Sequence, residues 1–162
     1  FELRVSRGED HAHDFLTVGS MGHTSSIALG MALGTDKPVY CIDGDGSFLM
    51  HMGALAVTAQ NAPDNFRYIL INNGAHESVG GQPTVGLSID AQRILRACGF
   101  ESVAVARDEV NVRSCVEQLA KSAGSAALII EVAQGSREDL GRPTIAPEQN
   151  KQDLMQVLRG EE

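Results

Sequence analysis

The chain has 162 residues, 43% of them hydrophobic, and a formal net charge of -8. That length suits one soluble domain with a real core, and no stretch approaches the roughly 18 apolar residues of a membrane span. The acidic balance speaks against nucleic acid or an anionic membrane surface as partner, because either would repel it.

The chain opens at Phe1 with no initiator Met and no signal-peptide pattern, which suggests a fragment, a processed form or a piece cut from something longer. An apolar run at 14–18 reads as a first strand, followed by helical spacing over 23–34. A second run at 38–43 leads into a helix over 47–60, with Ser47 as N-cap. A third at 67–72 leads into a helix over 88–98, capped by Ser88. Runs at 101–106 and 126–133 flank a last crossover helix over 108–123, capped by Asp108. Cys41, Cys98 and Cys115 fall in these apolar or helical segments and read as buried small hydrophobes rather than as a disulfide framework. Strand and helix alternating in this way imply right-handed crossovers and a mostly parallel sheet covered on both faces, a three-layer α/β/α fold. The whole of 1–162 reads as one domain, with 134–162, which carries Gly135, Gly141, Pro143 and Pro147, as a peripheral tail.

Two of these runs end in oxygen-bearing side chains. If 38–43 and 67–72 are parallel, Asp45 and Asn73 emerge at the same carboxyl edge of the sheet, where open α/β sheets bind ligands. A carboxylate and an amide oxygen suit Mg²⁺ or Ca²⁺, and Mg²⁺ commonly shares its coordination with phosphate and water. Gly44 and Gly46 let the backbone turn and approach a ligand closely. No Lys or Arg lies between Lys37 and Arg67, so a phosphate held here needs a metal. The segment has neither the Gly-Lys-Ser/Thr of a P-loop nor the third glycine of a dinucleotide fingerprint.

Gly44-Asp45-Gly46, then 25 residues, then Asn72-Asn73 resembles the thiamine diphosphate motif of the thiamine-dependent decarboxylase superfamily. The resemblance implies that Asp45, Asn73 and the carbonyl of Ala75 bind Mg²⁺, which bridges the cofactor's phosphates, with Ser47 and the N–H of Gly46 on diphosphate oxygens. Upstream, "TVGSMGHTSSIALGMALG" resembles the segment that grips the aminopyrimidine in the same superfamily. It implies cofactor contacts from Gly19, Ser20 and Met21, with the Gly19 carbonyl accepting from the 4′-amino group and Met21 as the apolar wedge that bends the cofactor.

These segments, with "INNGAHESVGGQPT" and "DLGRPTIAP", are similar to the cofactor-diphosphate domain of phosphonopyruvate decarboxylases and, less closely, of sulfopyruvate decarboxylases, over residues 1 to about 150. The resemblance implies decarboxylation of a small anionic 2-oxo acid, a step of phosphonate biosynthesis, by a cytoplasmic enzyme. In this superfamily the glutamate that protonates the aminopyrimidine lies on a separate pyrimidine-binding domain. The chain therefore supplies half of a site and is expected to work in a homo- or hetero-oligomer. His76 and Glu77, directly after the metal loop, and His23, after the wedge, are candidates for proton transfer or substrate contact. Arg137 and Arg142 are candidate partners for a phosphonate or sulfonate. Three readings stay open: a phosphonopyruvate decarboxylase module, the same chemistry on sulfopyruvate or another acid, and a non-catalytic module that keeps the Mg²⁺-diphosphate grip.

Overall fold

The computed structural model describes residues 1–160. They divide into two compact units, Ser20–Gln134 and the combination of Phe1–Gly19 with the chain from Gly135 onward. The larger unit contains a four-stranded sheet in the order β1-β2-β6-β5, with β1 Val39–Gly44, β2 Phe66–Asn72, β5 Ser102–Ala106 and β6 Ala126–Glu131. Every pair is parallel. Two short strands, β3 Ala75–His76 and β4 Gln82–Pro83, form an antiparallel hairpin that the apolar pattern did not announce, since neither carries a hydrophobic run.

The central strand shows why the layers form. Alternate residues of β2 point to opposite faces. Phe66, Tyr68 and Leu70 pack with residues of α2 Thr24–Leu33, α4 Ala54–Asn61 and α5 Ala91–Cys98, including Ala28, Leu55 and Leu95. Ile69 packs on the other face with Leu128, Ile130 and Leu119 of α6 Glu109–Lys121. At about 25 cal/mol per Å² of apolar surface, two such faces are the main source of stability for a sheet of this size. The expected three layers with a mostly parallel sheet are what forms.

Three expected elements differ. The span 14–18 is not a strand: the Leu16 N–H donates to Asn150 Oδ1 at 2.8 Å and the Asp14 carbonyl accepts from Asn150 Nδ2 at 2.7 Å. One buried asparagine, on α7 Pro147–Arg159, thus satisfies the backbone that a neighbouring strand would have served. The helix expected over 47–60 begins earlier, at Asp45 with Gly44 as N-cap, and breaks into α3 Asp45–Met50 and α4. His51 leaves the helix at φ -137° and Gly53 caps the next one, a point where the glycine removes helical preference. The helix expected from Ser88 starts at Ala91, because the Asp90 side chain accepts from the Arg93 N–H at 2.9 Å and caps it. Asp108 caps α6 as expected, through the Asn111 N–H at 2.9 Å. A short helix, α1 Glu2–Arg7, lies in the smaller unit. Among the described residues, no helix is long and apolar enough to cross a membrane.

Candidate functional site

Strands β1 and β2 end in step, with Gly44 opposite Ile71, so Asp45 leaves the sheet level with Asn72 and one residue short of Asn73. Asp45 opens α3 and is only 2% exposed. Its Oδ2 accepts from the Thr84 hydroxyl. Gly86 lies against the same carboxylate: a Cβ there would come within 2.7 Å of both Asp45 Oδ2 and Asn72 Oδ1. Asn72, the first of the asparagine pair, is turned inward. Its Nδ2 donates to the Gly86 carbonyl at 2.8 Å and its Oδ1 accepts from the Gly74 N–H at 3.3 Å.

The second asparagine is turned to the outside of the strand end. Asn73 Nδ2 donates to Glu77 Oε2 at 2.7 Å, and its Oδ1 accepts from the Ala75 N–H at 3.0 Å, leaving a second lone pair on that oxygen. Ala75 is buried and His76 half-buried on β3, which packs against α3. The imidazole of His76 lies on Gly46: an added Cβ would stand 2.3 Å from its Nδ1, a buried atom with no hydrogen-bond partner. Glu77 is exposed and tied to Asn73.

Ser47 is occupied inside the protein. Its Oγ accepts from the Gly22 N–H at 2.7 Å, and its hydroxyl also serves Asp43. Asp43 is buried two residues before Asp45. Desolvation pushes its carboxyl above the usual carboxylate range, against hydrogen bonds from Ser47, from the Tyr68 hydroxyl at 3.1 Å and from the Gly44 N–H at 3.1 Å. Burial likewise pushes the Tyr68 hydroxyl up, with Asp43 adding to it.

The turn before α2 is tight. Ser20 is the one non-glycine among the described residues with a left-handed backbone, at φ 49°, and Gly22 follows at φ 92°. Between them Met21 is half-buried and, among the described residues, belongs to neither hydrophobic cluster. His23 holds its Nδ1 3.1 Å from the Ser20 carbonyl, and its ring meets that of His51 with centroids 4.9 Å apart. Gly19, at φ 71°, is the last residue of the first segment of the smaller unit. Arg137, also in that unit, is paired with Asp139 at 2.9 Å.

These groups suit a magnesium diphosphate. The expected donors are oxygens only, a carboxylate, an amide oxygen and a backbone carbonyl, the set a hard cation takes. Among the described residues no group of three or more His, Cys, Asp or Glu side chains offers an alternative metal cage. The glycine at 46 is occupied on its open side by an unpartnered imidazole nitrogen, a polar group that a phosphate oxygen would satisfy. The nearest downstream cation, Arg67, is only 6% exposed and donates to the carbonyls of Leu119, Asp64, Phe66, Ser122 and Gly124, so it has little left for an anion. Sequence reasoning placed Asp45, Asn73, Ala75 and Gly46 in one region; α3 carries Asp45 and Gly46 and packs against both β2, which Asn73 follows, and β3, which carries Ala75. That reasoning overlooked Asp43, Thr84 and the inward role of Asn72, of which only the asparagine doublet left a mark in the sequence.

Residues 3–132 match the family described as "Thiamine pyrophosphate enzyme, C-terminal TPP binding domain". Phosphonopyruvate decarboxylase of Streptomyces viridochromogenes is 34% identical over 139 residues, 86% of this chain and 35% of that protein. Sulfopyruvate decarboxylase subunit beta of Methanococcus maripaludis is 34% identical over 150 residues, 93% of this chain and 80% of that subunit. The chain thus spans about a third of the phosphonopyruvate decarboxylases it matches and most of the beta subunit. Among solved structures, Campylobacter jejuni transketolase matches with a TM-score of 0.57 at 23% identity, over 70% of this chain and 20% of that one. A putative thiamin diphosphate-dependent enzyme from Mycobacterium smegmatis matches at 0.58 and 23%, over 72% and 23%. At that identity the likeness speaks for the fold.

Proposed function

This chain belongs to the thiamine pyrophosphate enzyme family, as its C-terminal TPP binding domain, and from that premise we propose that it supplies the magnesium-diphosphate half of a 2-oxo acid decarboxylase, a carbon–carbon lyase. The observation that carries this reading is the buried Asp45 at the carboxyl edge of the sheet, beside the β3 segment that carries Ala75 and His76. Bound thiamine diphosphate supplies the nucleophilic carbon and the electron sink that a 2-oxo acid needs to lose carbon dioxide.

The chain's own residues have distinct tasks. Asp45, Asn73 and the Ala75 carbonyl would hold Mg²⁺, which would neutralise diphosphate in a segment with no Lys or Arg between Lys37 and Arg67. Gly44, Gly46 and Ser47 shape the turn that receives the phosphates. Gly19, Ser20 and Met21 hold the aminopyrimidine end, with Met21 as the wedge. His76, Glu77 and His23 are the groups assigned to move protons or meet substrate, Glu77 on the diphosphate side.

Phosphonopyruvate, giving phosphonoacetaldehyde and carbon dioxide, is the preferred substrate. Sulfopyruvate is the second reading, favoured by the 80% of a beta subunit that the chain covers. In either case a pyrimidine-binding domain or subunit completes the site in a cytoplasmic oligomer, and the chain alone is catalytically silent. The test is carbon dioxide release from each acid, with saturating Mg²⁺ and thiamine diphosphate, before and after adding the partner domain. Turnover without the partner would refute the split site, and no turnover on either acid after assembly would refute the decarboxylase.

A further inference from the structure

We infer that Thr84, held by Gly86 and Asn72, is a positioning residue that presents a single oxygen of Asp45 to the metal. The inference rests on the reading that Asp45 ligates Mg²⁺. A threonine hydroxyl has one hydrogen and two lone pairs. Because Oγ1 of Thr84 accepts from the Gly86 N–H at 3.0 Å, its hydrogen is directed away from that donor and onto Asp45 Oδ2. The turn that carries this hydroxyl is itself held at two points. Asn72 Nδ2 donates to the Gly86 carbonyl at 2.8 Å, and the Thr84 N–H donates to the Gly74 carbonyl at 2.8 Å. Gly86 has room for no side chain, since a Cβ would strike Asp45 and Asn72. The bond takes one acceptor site of Oδ2 and holds the carboxylate at one rotation, which favours Oδ1 as the oxygen given to a cation.

The arrangement explains the asparagine doublet. Asn73 turns outward, where its oxygen serves the metal, and Asn72 turns inward, where its amide fixes the turn that orients Asp45. Mg²⁺ demands near-ideal octahedral geometry, whereas Ca²⁺ accepts bidentate carboxylates and a looser shell. Losing the Thr84 bond frees Asp45 to rotate and chelate, which penalises Mg²⁺ more than Ca²⁺.

The experiment is titration of the full chain with Mg²⁺ and with Ca²⁺ at fixed thiamine diphosphate, for wild type, Thr84→Val, Thr84→Ser and Asn72→Ala, with thermal unfolding of each. Removal of such supporting hydrogen bonds typically weakens metal affinity about 10- to 100-fold. The expected result is a loss of that order for Mg²⁺ in Thr84→Val, a smaller loss for Ca²⁺, and near wild-type behaviour in Thr84→Ser. Asn72→Ala shifts the metal preference in the same direction, and the Asn72→Ala/Thr84→Val double variant is no worse than the poorer single one, because both act through one carboxylate. A Thr84→Val chain with unchanged Mg²⁺ affinity, or with equal losses for both metals, overturns the positioning role while leaving the cofactor reading intact. A wild-type chain that binds no Mg²⁺ with the cofactor, both alone and after the partner domain is added, overturns both.

Discussion

Gly46 and His76 are in such close contact that a Cβ on the glycine would lie 2.3 Å from the imidazole Nδ1. The glycine at this position is a matter of space rather than of backbone angle, for Gly46 is not among the positive-φ residues. Gly46→Ala is expected to destabilise the chain by about 1–3 kcal/mol, the usual cost of overpacking. His76→Ala in the same chain should recover most of that loss. Denaturant unfolding of both single variants and the double variant checks it; simple additivity would mean that the two residues do not meet.

Asp45→Ala is expected to bring Mg²⁺-dependent binding of thiamine diphosphate below detection in titration calorimetry, while circular dichroism keeps the wild-type form. The expectation follows from the charge inventory. Lys and Arg are missing between Lys37 and Arg67, and Arg67 is committed to five carbonyls. Undiminished affinity in a folded variant would sink the metal assignment.

Met21→Ala, measured in the assembled two-domain enzyme, should lower kcat more than it weakens the cofactor. Met21 is half-buried beside the strained Ser20 turn and lies outside both hydrophobic clusters, so its side chain has little packing to lose. An interaction that shapes reactivity is felt in turnover first. Equal losses in affinity and turnover would mark Met21 as ordinary packing.

Arg67→Met should cost about 3 kcal/mol or more, because several buried carbonyls lose their donor at once and each unsatisfied group costs about 1–3 kcal/mol. Arg67→Lys restores a charge but has three donors rather than five and should recover only part. Urea unfolding of the two variants separates them. A near-neutral Arg67→Met would show that water replaces the guanidinium.

The parallel sheet and its carboxyl edge were legible because they depend on local pattern. Apolar runs of strand length separated by helical spacing leave few topologies, and two parallel strands bring the residues after them to one edge. That is why Asp45 and the Asn72-Asn73 doublet were found together. The helix break at His51 was less legible, since Gly53 alone does not say whether a helix bends, ends or continues. The failure at 14–18 has the same origin: Leu16 sits in an apolar run, but the partner of its N–H is Asn150, 134 residues away.

By itself the sequence determined the alternation of strand and helix, the net acidic charge, the shortage of cations near the turn and the identity of the oxygen donors. Those are properties of composition and of short periods. Only the tertiary structure decided which donors are free. It turned Asn72 inward and Asn73 outward, spent Ser47 on Gly22 and Asp43, set His76 on Gly46 and placed Thr84 on Asp45. The physical reason is that a hydrogen bond is a matter of direction at short range. Residues 39 positions apart, such as Asp45 and Thr84, acquire a mutual direction only when the β3–β4 hairpin and the turn after it fold back over the end of the sheet.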